Sequence, residues 1–384
     1  MDELYPERVR ADIDLGALQH NFLVACRQRP DSHVLAVVKA NAYGHGVDRV
    51  APALFRVMRQ GDAFAVATIG EGEQLRGLLP EANILVMQGA VNPEELQRAL
   101  TGRFWLVLHS PYQLQLLQEA PLSAGTGLNV WLKLETGMNR LGMGFEDFEY
   151  CWRGLQDLPG VGRQVIMSHL ASADDLGNDS VLRQQRRLQD MLQALAAEAG
   201  DWSISLAASG GVLSWPQTHH DWLRPGIMLY GGSSVLGETG PERGLRPVMT
   251  LRSRIVSIKT VAAGESIGYG ATYTCSSQRC MGVVSVGYGD GYPRHAPNGT
   301  PVLVVGGDGP RRTEIIGRVS MDMITVALDD IDARIGDEVI LWGQGLAADE
   351  IATASGTISY ELFCKITSRV PFQYHGGDGD REKV

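Results

Sequence analysis

The chain has 384 residues, longer than one ordinary domain and suited to two, or to a barrel with a smaller partner. At 44% hydrophobic and 20% charged residues it has an ordinary globular composition. Its formal charge of −10 argues against nucleic acid and against an anionic membrane surface as partners. The N-terminus, Met1-Asp2-Glu3-Leu4-Tyr5-Pro6-Glu7-Arg8, is acidic and lacks an apolar core, so no signal peptide is expected. No apolar run approaches the length of a membrane span. Cys26, Cys151, Cys275, Cys280 and Cys364 are scattered, without a Cys-x-x-Cys pair. They predict free thiols in a reducing cytoplasm, and no metal is expected.

The pattern predicts a helix over 15–27 before the first strand. Short apolar runs with strand character then fall at 34–38, 63–68, 84–87, 104–108, 130–134, 164–167, 204–208 and 222–224. Helical stretches at 47–59, 72–79, 93–100, 111–119, 146–158 and 181–197 lie between most of them. Pro93 and Pro111 stand where helices begin, with Asn92 and Ser110 as N-caps. Alternating strands and helices imply right-handed βαβ units and a parallel sheet. Eight such units closing on themselves predict an α/β fold, a (β/α)8 TIM-like barrel over residues 1–244. An open doubly wound sheet competes, because the eighth run is short and little helix precedes it.

After residue 244 the pattern changes. Runs at 256–261, 282–286, 301–305, 314–319, 323–328 and 338–342 are rich in β-formers. Turns such as Gly306-Gly307-Asp308-Gly309 separate them. A mostly antiparallel C-terminal β-domain over 245–375 is expected, followed by a frayed tail at 376–384.

Lys39 follows the first apolar run. Burying a lysine there is costly unless the site uses it, because desolvation favours the neutral amine. A neutral amine attacks an aldehyde. The plainer alternative is a lysine that ends a strand and points to water. The surrounding string, Val37-Val38-Lys39-Ala40-Asn41-Ala42-Tyr43-Gly44-His45-Gly46, resembles the cofactor-lysine segment of the alanine racemases, which depend on pyridoxal 5'-phosphate. The resemblance implies that Lys39 holds the cofactor aldehyde as a Schiff base and that Tyr43 reaches its phosphate.

A barrel places its chemistry on the loops at the C-terminal strand ends. After the fifth run, Lys133-Leu134-Glu135-Thr136-Gly137-Met138-Asn139-Arg140 resembles the family motif whose arginine, here Arg140, bonds the cofactor ring oxygen and the substrate carboxylate. The family often carbamylates the lysine matching Lys133; a plain strand lysine pairing with Glu135 or another carboxylate is the alternative. After the sixth run, His169 is implied to lie by the cofactor ring and to link Arg224 with the catalytic tyrosine. The resemblance puts Ser209, Gly226 and Ile227 on the phosphate, where barrels commonly hold one. It puts Arg224 at the ring nitrogen. An arginine has no acceptor for a ring N–H, so that nitrogen stays neutral and the ring is a weaker electron sink.

Racemisation needs a group on each face of the substrate carbon, or one group that swings between them. The resemblance implies that Lys39 serves one face, the D-face. Gly268-Tyr269-Gly270-Ala271 resembles the family's catalytic-tyrosine segment, which makes Tyr269 the L-face base. A free tyrosine, with a pKa near 10, needs cations beside it to act as a base at neutral pH. Gly287-Tyr288-Gly289-Asp290 and Arg318-Val319-Ser320-Met321-Asp322 match two further segments. They imply that Tyr288 lines the substrate passage and that the Met321 N–H meets the substrate carboxylate. The family often has cysteine where Ser320 stands. Ile358-Ser359-Tyr360-Glu361 places Tyr360 on the phosphate. In the family, the residues matching Tyr269, Tyr288 and Met321 reach the other subunit's site, so a homodimer with shared sites is implied.

The resemblance runs from near the N-terminus to about residue 371. It implies an enzyme interconverting L- and D-alanine, the latter a building block of bacterial peptidoglycan. A broad-specificity or serine racemase shares the fold, but such relatives tend to lack the lysine matching Lys133. A decarboxylase relative would lack the surroundings of Tyr269. A non-catalytic pyridoxal phosphate-binding protein would end after the barrel.

Overall fold

The computed structural model describes residues 8–195 and 203–377. The expected tail lies outside them from residue 378 on, as do the last two residues of the helix expected over 181–197.

In chain order the strands are β1 (Val9–Asp14), β2 (His33–Val37), β3 (Ala63–Val66), β4 (Ile84–Val86), β5 (Trp105–Leu108), β6 (Leu128–Lys133), β7 (Val161–Met167), β8 (Ser203–Ser205) and β9 (Trp222–Leu223). Then follow β10 (Met249–Val261), β11 (Ser266–Ile267), β12 (Tyr273–Thr274), β13 (Arg279–Val284), β14 (Pro301–Gly306), β15 (Gly309–Glu314), β16 (Ile324–Ala327), β17 (Glu338–Trp342) and β18 (Phe372–His375).

Among the described residues, β2 to β9 form one eight-stranded parallel sheet in sequential order, with β9 beside β2. Its two ends meet where Ala208 bridges Arg224 and the Arg224 N–H donates to Ala207 O at 2.9 Å. The sheet is therefore a closed (β/α)8 barrel and not an open doubly wound one. β3 and β4 are buried at every position, as a sheet covered on both faces requires. Trp222 stands against Trp131 at 5.2 Å and against Trp105 at 5.7 Å, both edge-on, with His33 at 4.8 Å. Trp222, Trp105 and His33 begin their strands, so aromatic rings fill the N-terminal end and chemistry is left to the other mouth.

The helices begin as the sequence predicts in most places. Asn92 Oδ1 accepts from Glu95 N at 2.8 Å, a side-chain cap before Pro93. Ser110 makes no side-chain cap; its carbonyl takes the Gln113 N–H instead.

The second sheet, also of eight strands among the described residues, is mostly antiparallel. β10 is its spine and pairs with β1, β13 and β17. β1 falls within the first expected range, yet it lies antiparallel to β10 and parallel to β18. The chain thus enters through the second sheet before starting the barrel. The strand expected over 314–319 is displaced to β15, which pairs with β14 across a tight turn. Gly317, at φ +84, bends the chain out of strand geometry there. Ile315, Ile316 and Val319 are buried core residues, which explains their strand-like appearance.

Candidate active site

The turn after β2 carries the first unusual feature. Ala40, Asn41, Ala42 and Tyr43 all have φ between 52° and 55°, a left-handed helical turn built without glycine. Each such residue costs roughly 1–2 kcal/mol, so the turn stores several kcal/mol of strain that its surroundings must offset. Glu71 Oε1 accepts from Ala40 N at 2.8 Å, and Asn41 Oδ1 accepts from Val47 N at 2.9 Å. Tyr43 is buried and stacks on Tyr230 at 4.9 Å, and the Tyr230 hydroxyl donates to Val37 O at 3.0 Å. Gly44 packs so closely on the helix Ser359–Cys364 that an added Cβ would lie 2.3 Å from Phe363 O. The helix from the second domain thereby braces the turn that bears Lys39.

Lys39 heads this turn and is partly buried. Burial lowers its pKa, the Arg140 guanidinium lowers it further, and Glu71 and Cys364 oppose them. Lys133, 8% exposed at the end of β6, is pushed down to about 8 by burial and then by Arg224, Arg140 and Lys39. Glu135 opposes this shift without pairing with Lys133. Glu135 turns its oxygens to the backbone amides of Gly137, Met138 and Asn139, folding the loop that delivers Arg140, and it makes no salt bridge with Lys133.

Arg224, 3% exposed, is held by neutral acceptors. It donates to Ser205 Oγ at 2.6 Å, to Ser168 O at 2.6 Å and to Leu206 O at 3.2 Å. Its Nη2 lies 3.3 Å from His169 Nδ1. No carboxylate pairs with Arg224 among the described residues, and burial lowers its pKa to about 10. His169 is kept neutral by burial and by the cations Arg224, Lys133, Arg140 and Lys39 around it. Four cationic side chains thus act on one mouth, opposed by Glu71 beside Lys39 and by Glu135 beside Lys133. Such a cavity is built for anions.

A cradle sits beside them. Ser209 Oγ accepts from Gly226 N at 2.9 Å and Met228 N at 3.4 Å. A Cβ on Gly226 would lie 2.7 Å from the Tyr43 hydroxyl and 3.9 Å from Ser209 Oγ. The Tyr360 ring is 5.8 Å from that of Tyr43. Hydroxyls and backbone amides around a space that only glycine leaves open fit a phosphate group, and Lys39 fits an aldehyde. The donor set therefore suits pyridoxal phosphate.

Tyr269, Tyr288 and Met321 are not drawn into this mouth. They are 70%, 37% and 52% exposed. Their loops adjoin one another: Tyr288 N donates to Ser320 O, Gly289 N to Met321 O, and Gly268 and Gly270 face Arg318. No hydrogen bond or ring contact joins the three side chains to Lys39, Arg140, His169 or Arg224 among the described residues.

Sequence reasoning passed over Glu71, Tyr230 and Gln184. Buried Gln184 donates to Thr136 Oγ1 at 3.0 Å and to His169 O at 2.8 Å, joining the Arg140 loop to the His169 loop. Glu71 carried a legible signal, the capping-box pair Thr68-x-x-Glu71. Tyr230 and Gln184 had none, since their partners are remote in sequence.

A closed barrel with a lysine, two arginines and a cradle of hydroxyls and amides at its C-terminal mouth has the form of a barrel enzyme. The comparisons name its family. Residues 13–234 match the family described as alanine racemase, N-terminal domain, and residues 248–374 match alanine racemase, C-terminal domain. The chain is 44% identical over 368 residues to an alanine racemase of Vibrio cholerae, covering 95% of this chain and 98% of that one. The biosynthetic alanine racemase structure from Pseudomonas aeruginosa superposes with a TM-score of 0.89 at 42% identity, covering 96% of this chain and all of that one. The alanine racemase structure from Bartonella henselae, which has covalently bound pyridoxal phosphate, superposes with a TM-score of 0.83 at 27% identity, covering 96% of this chain and 100% of that one. The chain belongs to the alanine racemase family.

Proposed function

We propose that the protein interconverts L- and D-alanine with pyridoxal 5'-phosphate at Lys39, working as a homodimer whose sites are shared. The observation that carries the reading is the meeting of Lys39, Lys133, Arg140 and Arg224 beside the Tyr43, Ser209 and Gly226 cradle.

Lys39 would hold the cofactor aldehyde, and Tyr43, Ser209, Gly226, Ile227 and Tyr360 its phosphate. When bound, the cofactor acidifies the α-proton of an amino acid by spreading the charge left behind. Arg224 presents donors only and so keeps a proton off any ring nitrogen that faces it. His169 backs Arg224 at 3.3 Å. Arg140 binds the substrate carboxylate, assisted by the Met321 N–H of the partner subunit, and Tyr288 of the partner subunit lines the passage. Burial and Arg140 lower the Lys39 pKa, which favours the neutral amine as the group that takes or returns a proton on the D-face. Tyr269 of the partner subunit does the same on the L-face. The exposure of Tyr269, Tyr288 and Met321 supports this division, because three adjoining loops offer these side chains outward and not to their own barrel. A carbamylated Lys133 would supply the anion that Arg140 lacks. The reading also divides the chain near residue 244 into a barrel that carries the cofactor and a β-domain that completes a neighbour's site. A cytoplasmic enzyme of this kind supplies or consumes D-alanine for peptidoglycan.

Chiral chromatography of L-alanine incubated with the protein tests the reading. D-Alanine should accumulate to equality with the L-form, and its absence would reject the assignment.

A further inference from the structure

We propose that Glu71 is a positioning residue for Lys39, bridging the end of β3 to the left-handed turn so that Lys39 stays aimed into the barrel mouth. The proposal rests on the cofactor role assigned to Lys39 above.

One carboxylate here ties together two strand ends. Oε1 accepts from Ala40 N at 2.8 Å, immediately after Lys39. Oε2 accepts from Ala67 N at 2.7 Å and Thr68 N at 3.4 Å, immediately after β3. Thr68 Oγ1 returns the bond by accepting from Glu71 N at 3.3 Å, which completes an N-terminal cap on the helix Ile69–Leu78. A capping box needs only the bonds from Thr68 N and from Glu71 N. The bond to Ala40 is additional, reaches across from the neighbouring strand, and falls on the first residue of a turn whose four dihedrals are all unfavourable.

Left to itself, that turn would relax toward negative φ, and the Cα–Cβ direction of Lys39 would swing with it. The hydrogen bonds inside the turn, Ala42 N to Val38 O and Gly44 N to Ala40 O, do not fix it to the barrel. Glu71 does so at the end nearest Lys39. It also brings a negative charge toward the Lys39 amine, which Arg140, Cys364, Lys133 and His169 also face.

The test uses five proteins: the unaltered chain, Glu71→Ala, Glu71→Gln, Thr68→Ala and Lys39→Ala. Each is stripped of cofactor and titrated with pyridoxal phosphate by visible absorbance. In the stripped protein, acylation of Lys39 by a small reagent is followed by mass spectrometry across pH. Glu71→Ala should bind cofactor about tenfold more weakly or worse, as expected for one lost charge-assisted bond. Its Lys39 labelling midpoint should move to lower pH, since an anion that favours the charged amine is gone. Glu71→Gln keeps one acceptor and the same reach. It should bind with intermediate affinity while its midpoint moves as in Glu71→Ala. Thr68→Ala loses the cap alone and should leave affinity and midpoint unchanged, though it melts earlier. Wild-type affinity and midpoint in Glu71→Ala would overturn the proposal, as would a Thr68→Ala that matches it. Retention of bound cofactor by Lys39→Ala would instead overturn the role of Lys39, so the two failures are distinguishable.

Discussion

Lys133 should carry a carbamate, and the structure sets the size of the effect. With its pKa lowered from 10.5 to about 8, about a quarter of this amine is neutral at pH 7.5, against about a thousandth for an ordinary lysine. The neutral amine is the form that attacks carbon dioxide. The surroundings then favour the product, because a carbamate anion meets Arg140 and Arg224, whose charges outweigh that of Glu135 in disfavouring the ammonium. As an unmodified amine the group carries a penalty of about 3 kcal/mol below pH 8. The unfolded chain binds its proton more tightly, so unmodified protein gains stability as pH rises from about 8 toward 10.5. Carbamylation should flatten that rise. The assay is carbon NMR of protein equilibrated with carbon-13 bicarbonate, with Lys133→Arg as control. A carbamate resonance present in the unaltered protein and absent from the variant is expected. Identical spectra would refute the reasoning.

Two glycines provide further tests. Gly44→Ala adds a Cβ 2.3 Å from Phe363 O at a φ of +78°, so backbone must move. Urea unfolding should show a loss of about 2 kcal/mol or more, together with weaker cofactor binding. Gly226→Ala puts a Cβ 2.7 Å from the buried Tyr43 hydroxyl, inside the proposed phosphate cradle. It should weaken pyridoxal phosphate binding at least about tenfold, judged in a titration, while the unfolding midpoint moves little.

The barrel was legible because buried parallel strands appear as short apolar runs between amphipathic helices. Each of the eight runs meets a barrel strand or its immediate end. β1 and β18 were not legible, because their partners lie far off in sequence: Val9 faces Ser253, and Ala11 faces Phe372. Such pairing leaves no local periodicity. The cofactor segment was readable as a string of residues, but its handedness was not. Ala40, Ala42 and Tyr43 ordinarily avoid left-handed geometry, and only Asn41 tolerates it. The strain is imposed from outside, by Glu71, Val47 and the helix Ser359–Cys364. Tyr269, Tyr288 and Met321 could be selected by resemblance, whereas their shared exposure became visible only once the loops were folded beside one another.

The central claim is that Lys39 of one chain and Tyr269 of another work on the same substrate. Lys39→Ala and Tyr269→Phe, each inactive alone, provide the direct measurement when they are mixed, dissociated and reassociated. A mixed dimer then holds one intact site and one doubly altered site. With random pairing, activity should return to about a quarter of the unaltered protein's. If each chain built its own site, every site would keep a lesion, and an inactive mixture would contradict the account.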